Sequence, residues 1–447
     1  MLLTIEKSIY GGEGLGRMPA EPGDERVRGK AVFVPFVLDG ERIEVGITEE
    51  KTGFARGMVE KIVERSALRV EAGCPHFGEC GGCHYQHTDY GNQLVIKQQI
   101  LRDTFERIAK VPLPSELQVH GSPPWNYRNR TRMRLRGAPE FLMGYNRSHS
   151  SDVLPVRVCP ISSPLINRAI DAVWTLGEAG LTPDCIREIE FFADASDEAL
   201  LLDVTVAGNK PGVRTFQLLA GFAQALRERV PQIRGCAIFS EEDEKSKSKD
   251  MPVRLEPPEN LRESFGEGGI AYHCNGADYR VSSGSFFQTN RFLAGKLVEI
   301  VTTGVSGEYA MDLYAGTGLF SVPLARAFSK VAAVEASSYG YEDLRQNAPP
   351  NVRSYNAATG KFLSSHAKGA RPDCVVVDPP RAGLGEKLAG TLAGLSAPRI
   401  IYVSCDPATL ARDARVILSA GYGIEEAHLI DIFPQTFHIE TVLRLAR

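Results

Sequence analysis

Hydrophobic and polar positions along the chain fall into three regimes. Up to about residue 68 the apolar residues come in short alternating runs broken by glycine, the period of half-buried strands. "KAVFVPFVLDGERIEVGI" (30–47) has two such runs around Asp39-Gly40 and predicts a hairpin; "ARGMVEKIVERS" (55–66) predicts a further strand. Five or so short strands in this length point to a small barrel of the OB kind. The spacing then becomes helical in "DYGNQLVIKQQILRDTFERIA" (89–109), where Leu94, Ile100, Leu101, Phe105 and Ile108 recur on one face. Pro112, Pro114, Pro123 and Pro124 predict its end and a turn. From about 125 to 275 the pattern is mixed, with strands "EIEFFA" and "LLLDVTVAG" and a helix "VRTFQLLAGFAQALRERV". The polar run "SEEDEKSKSKD" (240–250) reads as a solvated loop. From about 276 onward strands and helices alternate, which predicts a parallel sheet covered on both faces. The last two apolar runs arrive without a full helix between them, so a final strand inserted antiparallel is expected.

Length and composition narrow this picture only slightly. A chain of 447 residues predicts two or three domains, and 43% hydrophobic with 24% charged residues is ordinary for a globular protein. No window approaches eighteen uninterrupted apolar residues and the first residues do not read as a secretory signal, so no membrane partner and a cytoplasmic location are expected. The net charge of −4 means that any nucleic-acid reading must rest on local patches. Nine cysteines, an odd number, argue against a disulfide framework and leave metal ligation, catalysis or burial.

The chemistry concentrates in the last third. "AMDLYAGTGLFS" is a strand running into Gly316-Thr317-Gly318, and Glu335 ends the next strand nineteen residues after Gly316, placed to accept from ribose hydroxyls. A dinucleotide site would want a third glycine where Ser321 stands, so S-adenosylmethionine is the better match. Asp378 ends a further strand in "VVVDPPRAGL", its turn stiffened by Pro379 and Pro380. Arg381 occupies the place where amino-methyltransferases carry a base-stacking aromatic, which points away from methylation of nitrogen.

Cys405 closes the strand "RIIYVSC", and "PATLARDARVIL" starts a helix just after it; a helix N-terminus is expected to lower the thiol's pKa. A thiolate there has a chemical purpose. C5 of uracil is a poor nucleophile until a thiolate adds at C6 and gives C5 carbanion character. A base must then take the C5 proton, and Glu440 in "FPQTFHIETV" is the natural carboxylate.

Two other patterns stand outside that domain. Cys74, Cys80 and Cys83 in "CPHFGECGGCHYQH" are followed at a distance by Cys159 in "VRVCPIS". The spacing leaves a cluster, zinc or no metal open, although a zinc ribbon would want a second paired knuckle. In "YRNRTRMRLRG" the residues Arg128, Arg130, Arg132, Arg134 and Arg136 alternate, which on a strand puts all five on one face, a costly arrangement without a partner such as a phosphate backbone. Phe286 and Phe287 in "SFFQTN" read as core aromatics, and Cys185, Cys236, Cys274 and Cys374 as buried filler.

Taken together, "CPHFGECGGCHYQH", "YRNRTR", "SFFQTN", "DLYAGTG", "VDPPRAGL", "SCDPATLARD" and "FPQTFHIETV" resemble, in order, the signatures of the RNA (uracil-5)-methyltransferases of ribosomal and transfer RNA. The resemblance covers nearly the whole chain. It implies an α/β fold: an N-terminal OB-type TRAM barrel (1–68), an α+β central domain (69–275) and a Rossmann-like class I methyltransferase domain (276–447). It implies that a helix at about 86–117 packs on that last domain. Cys405 would be the nucleophile and Glu440 the proton acceptor. Gln288, Tyr314, Glu335 and Asp378 would contact S-adenosylmethionine or the uracil beside it, and Phe286 would face the extruded base. The four cysteines would hold a 4Fe-4S cluster, with Arg128, Arg130, Arg132 and Arg134 on the RNA. The expected partner is RNA, 23S ribosomal RNA first and the T-loop of transfer RNA second, for a monomeric enzyme. A catalytically silent RNA-binding protein and a small-molecule methyltransferase are the alternatives. The sequence departs from the family pattern at Ala315, Leu319, Asp406 and Gln435.

Overall fold

The computed structural model describes residues 1–19, 29–137, 140–208, 212–241 and 261–447. Most of the run 240–250 lies outside the described residues. Strands Leu2–Ile9, Glu13–Arg17, Ala31–Pro35, Phe54–Glu64 and Arg42–Glu50 close, in that order, into a barrel. Its interior is filled by the alternate residues Leu3, Ile5, Val32, Val34, Ile43, Val45 and Ala55. The hairpin expected at Asp39-Gly40 does not form. Ala31–Pro35 pairs with Glu13–Arg17 and Phe54–Glu64, whereas Arg42–Glu50 pairs with Leu2–Ile9 and Phe54–Glu64. The turn is drawn aside because Gly40 N–H donates to the carbonyl of Ile5 and Ser8 Oγ to Asp39, so the chain crosses the barrel end.

The central region is a seven-stranded sheet whose order is Leu261–Gly266, Ile233–Ser240, Leu200–Val206, Ile186–Ala193, Arg130–Arg136, Leu142–Asn146, Val153–Pro155. Helices Pro164–Glu178 and Val213–Arg229 bury their apolar faces on it, with Ile166, Val173, Phe222 and Leu226 against Ile189, Phe191 and Leu202.

The third body is an eight-stranded sheet: Val352–Asn356, Phe328–Glu335, Gly307–Leu313, Cys374–Val377, Arg399–Ser404, Glu440–Ala446, Gly423–Ile430 and Gln118–His120. Glu440–Ala446 lies antiparallel between Arg399–Ser404 and Gly423–Ile430, as the last apolar runs predict. The edge strand Gln118–His120 comes from far upstream and was not foreseen. Helix Tyr90–Thr104, prolonged by a wider turn Phe105–Ala109, joins the same body: Ile96, Ile100, Leu101 and Phe105 share a core with Leu313, Leu410 and Leu443. Its buried face also carries polar groups, two of which reach the last loop. Lys97 Nζ lies 2.6 Å from Asp431 with both side chains fully buried, and Gln93 exchanges hydrogen bonds with Gln435. The fold therefore joins residues about 340 apart at the loop that leads into Glu440. No helix among the described residues is long and apolar enough to cross a membrane.

Candidate active site

The carboxyl ends of the parallel strands open into one large cleft of about 1710 Å³ between the eight-stranded sheet and the central sheet. Gln288, Tyr314, Glu335, Asp378, Cys405, Glu440 and Phe286 all line it. So do Arg130, Arg132 and Arg134 from the central sheet. The reacting and binding groups expected from separate motifs thus share one cavity.

At the first strand end Tyr314 and Gly316 both adopt positive φ, 66° and 55°, and a Cβ on Gly316 would meet nothing within 4 Å. The backbone there is bare to the cleft, as close approach of a ligand requires. Glu335 accepts the Gly316 N–H at 2.8 Å and the Ser337 N–H at 2.6 Å, which fixes its carboxylate at the cleft wall. Behind the glycine turn Asp312 is fully buried, holds the Ser321 hydroxyl and is pushed up to about 7 by burial. The bare turn and the anchored acid suit the nucleoside part of S-adenosylmethionine.

The other half of the site is an acid cluster. Burial, then the neighbouring Asp312, pushes Asp378 up to about 7. Burial and Asp378 hold Glu440 well above the usual carboxylate range, against the lowering effect of Arg381. Cys405 is pushed up to about 12 by burial, with Glu440 and Asp378 adding to it and Arg381 opposing. This reverses the expected lowering by the helix Pro407–Ser419. Burial is the main cause, and the helix end is taken up by the Asp406 carboxylate, which accepts the N–H groups of Ala408 at 3.0 Å and Thr409 at 2.9 Å. The positive end of the helix acts on Asp406, and the thiol faces carboxylates instead.

The two phenylalanines of "SFFQTN" have different fates. Phe287 is a core residue packed on Tyr272 and Tyr279, whereas Phe286 is 62% exposed at the cleft. A large exposed aromatic beside reacting groups can stack on a base. The departures from the family pattern all sit in packing or capping roles. Ala315 and Leu319 are buried, Asp406 is the cap, and Gln435 bonds Gln93 while its carbonyl accepts from His84 and Tyr85 N–H.

The arginine ladder needs two corrections. The strand begins at Arg130, and Arg128 lines a different, small cavity with the cysteines. Arg130, Arg132 and Arg134 are not left without partners, because the adjacent strand supplies carboxylates. Arg132 bonds Glu190 at 2.8 Å, Arg134 lies 3.5 Å from Glu188, and Arg130 lies 3.7 Å from Glu190. Arg130 also donates to the carbonyl of Ser285 and stacks 4.2 Å over Phe192, so it holds the loop that presents Phe286. Cross-strand pairing of this kind has no signature in either strand alone.

Cys74, Cys80, Cys83 and Cys159 line one cavity of about 40 Å³, with Phe77, Val156, Val158 and Ile161 as apolar walls. Burial raises the thiols of Cys74 and Cys80, and pushes Cys83 up to about 12. Arg128 reaches into the same place with its Nε buried and unbonded. Among the described residues, no group of three or more His, Cys, Asp or Glu side chains is placed to hold a metal ion.

Comparison with known proteins agrees with this architecture. The family model of tRNA (uracil-5-)-methyltransferases matches residues 271–356 and 341–447, and that of the TRAM domain matches 1–59. An uncharacterized RNA methyltransferase of Aquifex aeolicus is 31% identical over 99% of this chain and 97% of its own. A protein of Azoarcus named 23S rRNA (uracil(1939)-C(5))-methyltransferase RlmD is 30% identical over 95% of this chain and 96% of its own. The crystal structure of the Pyrococcus abyssi tRNA (uracil-54, C5)-methyltransferase with S-adenosyl-L-homocysteine, 24% identical, superposes over all of both chains with a TM-score of 0.72. The chain belongs to the RNA (uracil-5)-methyltransferases.

Proposed function

We propose that this enzyme methylates C5 of one uridine of 23S ribosomal RNA, with Cys405 as nucleophile and Glu440 as proton acceptor. The observation that carries this reading is the placement of Cys405, Asp378 and Glu440 on one cleft that also holds Phe286, Gln288 and the anchored Glu335. When bound, S-adenosylmethionine supplies an electrophilic methyl group and a positive charge that favours ionisation of the three acids. Tyr314, the bare turn at Gly316 and Glu335 would hold its nucleoside part, with Asp378 and Gln288 between it and the uracil.

The thiol gives its proton to a carboxylate of the cluster, and Cys405 Sγ adds to C6 of the uracil. The C5–C6 electron pair shifts onto C5 and the O4 carbonyl, and C5 takes the methyl group, whose bond to the sulfonium sulfur breaks to leave a neutral thioether. A carboxylate then removes the remaining C5 proton, the C5–C6 double bond reforms and Cys405 leaves as thiolate. Glu440 is suited to that removal because a buried carboxylate of raised pKa is a stronger base than one in water. Phe286 would stack on the extruded base.

The domains are read as a barrel that binds RNA (1–68), a central part (69–275) and a catalytic part (276–447) that borrows the helix from residue 90 and the strand from 118. Arg132 and Arg134 would meet phosphates by exchanging Glu190 and Glu188 for them. The four thiols would hold a 4Fe-4S cluster, whose thiolate ligands carry net negative charge; the buried, unbonded Nε of Arg128 among them supports an anion there.

Ribosomal RNA is preferred because the Azoarcus relative, matched along nearly its full length, is named for 23S rRNA. Incubation of the enzyme with unmodified ribosomal RNA or transfer RNA and labelled S-adenosylmethionine, followed by mass-spectrometric mapping, tests the target. Label in 5-methyluridine of 23S RNA alone is expected. Label confined to transfer RNA overturns the target, and label off C5 overturns the chemistry.

A further inference from the structure

The turn after the first barrel strand, Leu2–Ile9, reaches out of the barrel and into the catalytic part. Tyr10 begins it. Its hydroxyl lies 3.4 Å from the carbonyl oxygen of Cys405 and within hydrogen-bonding reach of the Asp406 carboxylate. The ring sits edge-on to Phe437 at 5.4 Å, and Phe437 in turn contacts His438 at 4.3 Å and His84 at 4.7 Å. Gly11 and Gly12 follow with φ of 110° and 83°, and a Cβ on Gly12 would stand 2.9 Å from Cβ of His84. His84 is the residue after Cys83. Three parts of the chain that are remote in sequence therefore meet beside the thiol.

We propose that Tyr10, carried by the N-terminal barrel, is a positioning residue for Cys405, its hydroxyl tying the barrel to the backbone of the nucleophile and to the Asp406 cap. The inference rests on the reading of Cys405 as nucleophile. Its physical content is a restraint at both sides of one peptide unit. The phenol donates to the carbonyl of Cys405 or to the carboxylate of the next residue, and that carboxylate already bonds Ala408 and Thr409 N–H. The strand end that aims Sγ is thus held from outside its own sheet. The docking is reinforced at the barrel wall, where Lys7 pairs with Asp103 of the helix Tyr90–Thr104. A barrel that only held RNA would have no need of a phenol at the nucleophile.

The charge balance at the thiol changes with the hydroxyl. Cys405 is faced by Asp378 and Glu440 from two strands, Asp406 from its own helix cap, Arg381 from the "DPPR" turn and Tyr10 from the barrel. Without the phenol, Asp406 loses a donor and its negative charge bears more strongly on Sγ. Ionisation of Cys405 then requires higher pH.

The test uses the full chain as wild type, Tyr10→Phe and Tyr10→Ala. Alkylation of Cys405 by iodoacetamide is followed by peptide mass spectrometry from about pH 7 to about pH 10, beside kcat and KM for the RNA. Both variants are expected to slow Cys405 alkylation at each pH in that window. Both are expected to lose about three- to tenfold in kcat, the equivalent of one ordinary hydrogen bond, with KM little changed in Tyr10→Phe. A Tyr10→Phe profile and kcat equal to wild type would show that only the ring matters and overturn the proposal. A loss confined to KM would make Tyr10 an RNA contact and overturn it too. Cys405→Ala separates the two readings: if it still methylates at full rate the nucleophile assignment fails, whereas if it is dead and Tyr10→Phe is normal, only the role of Tyr10 fails.

Discussion

Two cavities of this protein bury cysteine thiols, and they surround them with opposite charge. Cys405 stands among Asp378, Asp406 and Glu440 with Arg381 as the opposing cation. Cys74, Cys80, Cys83 and Cys159 share apolar walls and the buried guanidinium of Arg128. Burial raises the thiol in both places, with values of about 12 for Cys405 and Cys83. The companions decide what each can become. A single thiol against carboxylates keeps its proton until substrate changes the charge, and in the proposed reaction the carboxylates beside it take the C5 proton whose removal expels the thiolate. Several thiols around a fixed cation suit lasting ligation of an anionic group. Size separates them as well, since about 1710 Å³ admits nucleotides and about 40 Å³ does not.

The sharpest way to break this comparison is Cys405→Ala. It is expected to lower methyl transfer to about 10⁻⁴ of wild type or less while leaving iron content unchanged. Glu440→Gln is expected to slow turnover by about 10²–10⁴-fold and to accumulate a Cys405–RNA adduct, seen as a denaturation-resistant shifted band. In the other cavity, Cys83→Ala should lose most iron and labile sulfide from anaerobically purified protein, and Arg128→Gln should lose part of it. Full iron retention in Cys83→Ala would sink the cluster.

Titration of the acid cluster tests the charge argument without substrate. Asp312 and Asp378 are pushed from about 3.8 up to about 7 in the folded state. The native protein therefore binds more protons than the unfolded chain between these values, and this contribution to stability is lost as pH rises through about 7. The urea midpoint should fall across that window, and less steeply in Asp378→Asn. The smallest effect is expected at the cleft rim. Arg132→Gln removes a half-exposed cation already paired with Glu190, so RNA affinity should fall only a few-fold, with a salt slope reduced by about 1 or less. A loss as large as that of Glu440→Gln would make the ladder part of the chemistry.

How much of this was legible in the sequence differs from element to element. The glycine turn at 316–318 with Glu335, the Asp378 turn, Cys405 before its helix and the inserted last strand could all be read, because each is set by neighbours a few residues away. The hairpin at Asp39-Gly40 was misread because its local signal is outweighed by barrel closure, which pairs each flanking strand elsewhere. The five-arginine face failed for the same reason. Its alternation is real from Arg130 on, but Glu188 and Glu190 arrive from a strand more than fifty residues away.

By itself, the sequence determined which groups exist to react and which local frame carries each: one thiol and one carboxylate at strand ends, an acid after a glycine turn, four cysteines in a pattern open to several ligands. Only the tertiary structure decided their company. It set carboxylates and an aspartate cap against Cys405, sent Arg128 to the other thiols, drew helix Tyr90–Thr104 onto the eight-stranded sheet through Lys97 and Gln93, and brought Tyr10 to the Cys405 carbonyl. Periodicity and short motifs record which face of an element is buried. The acidity of a buried group depends on solvent exclusion and on charges within a few ångströms, and those come from residues that only long-range packing makes neighbours.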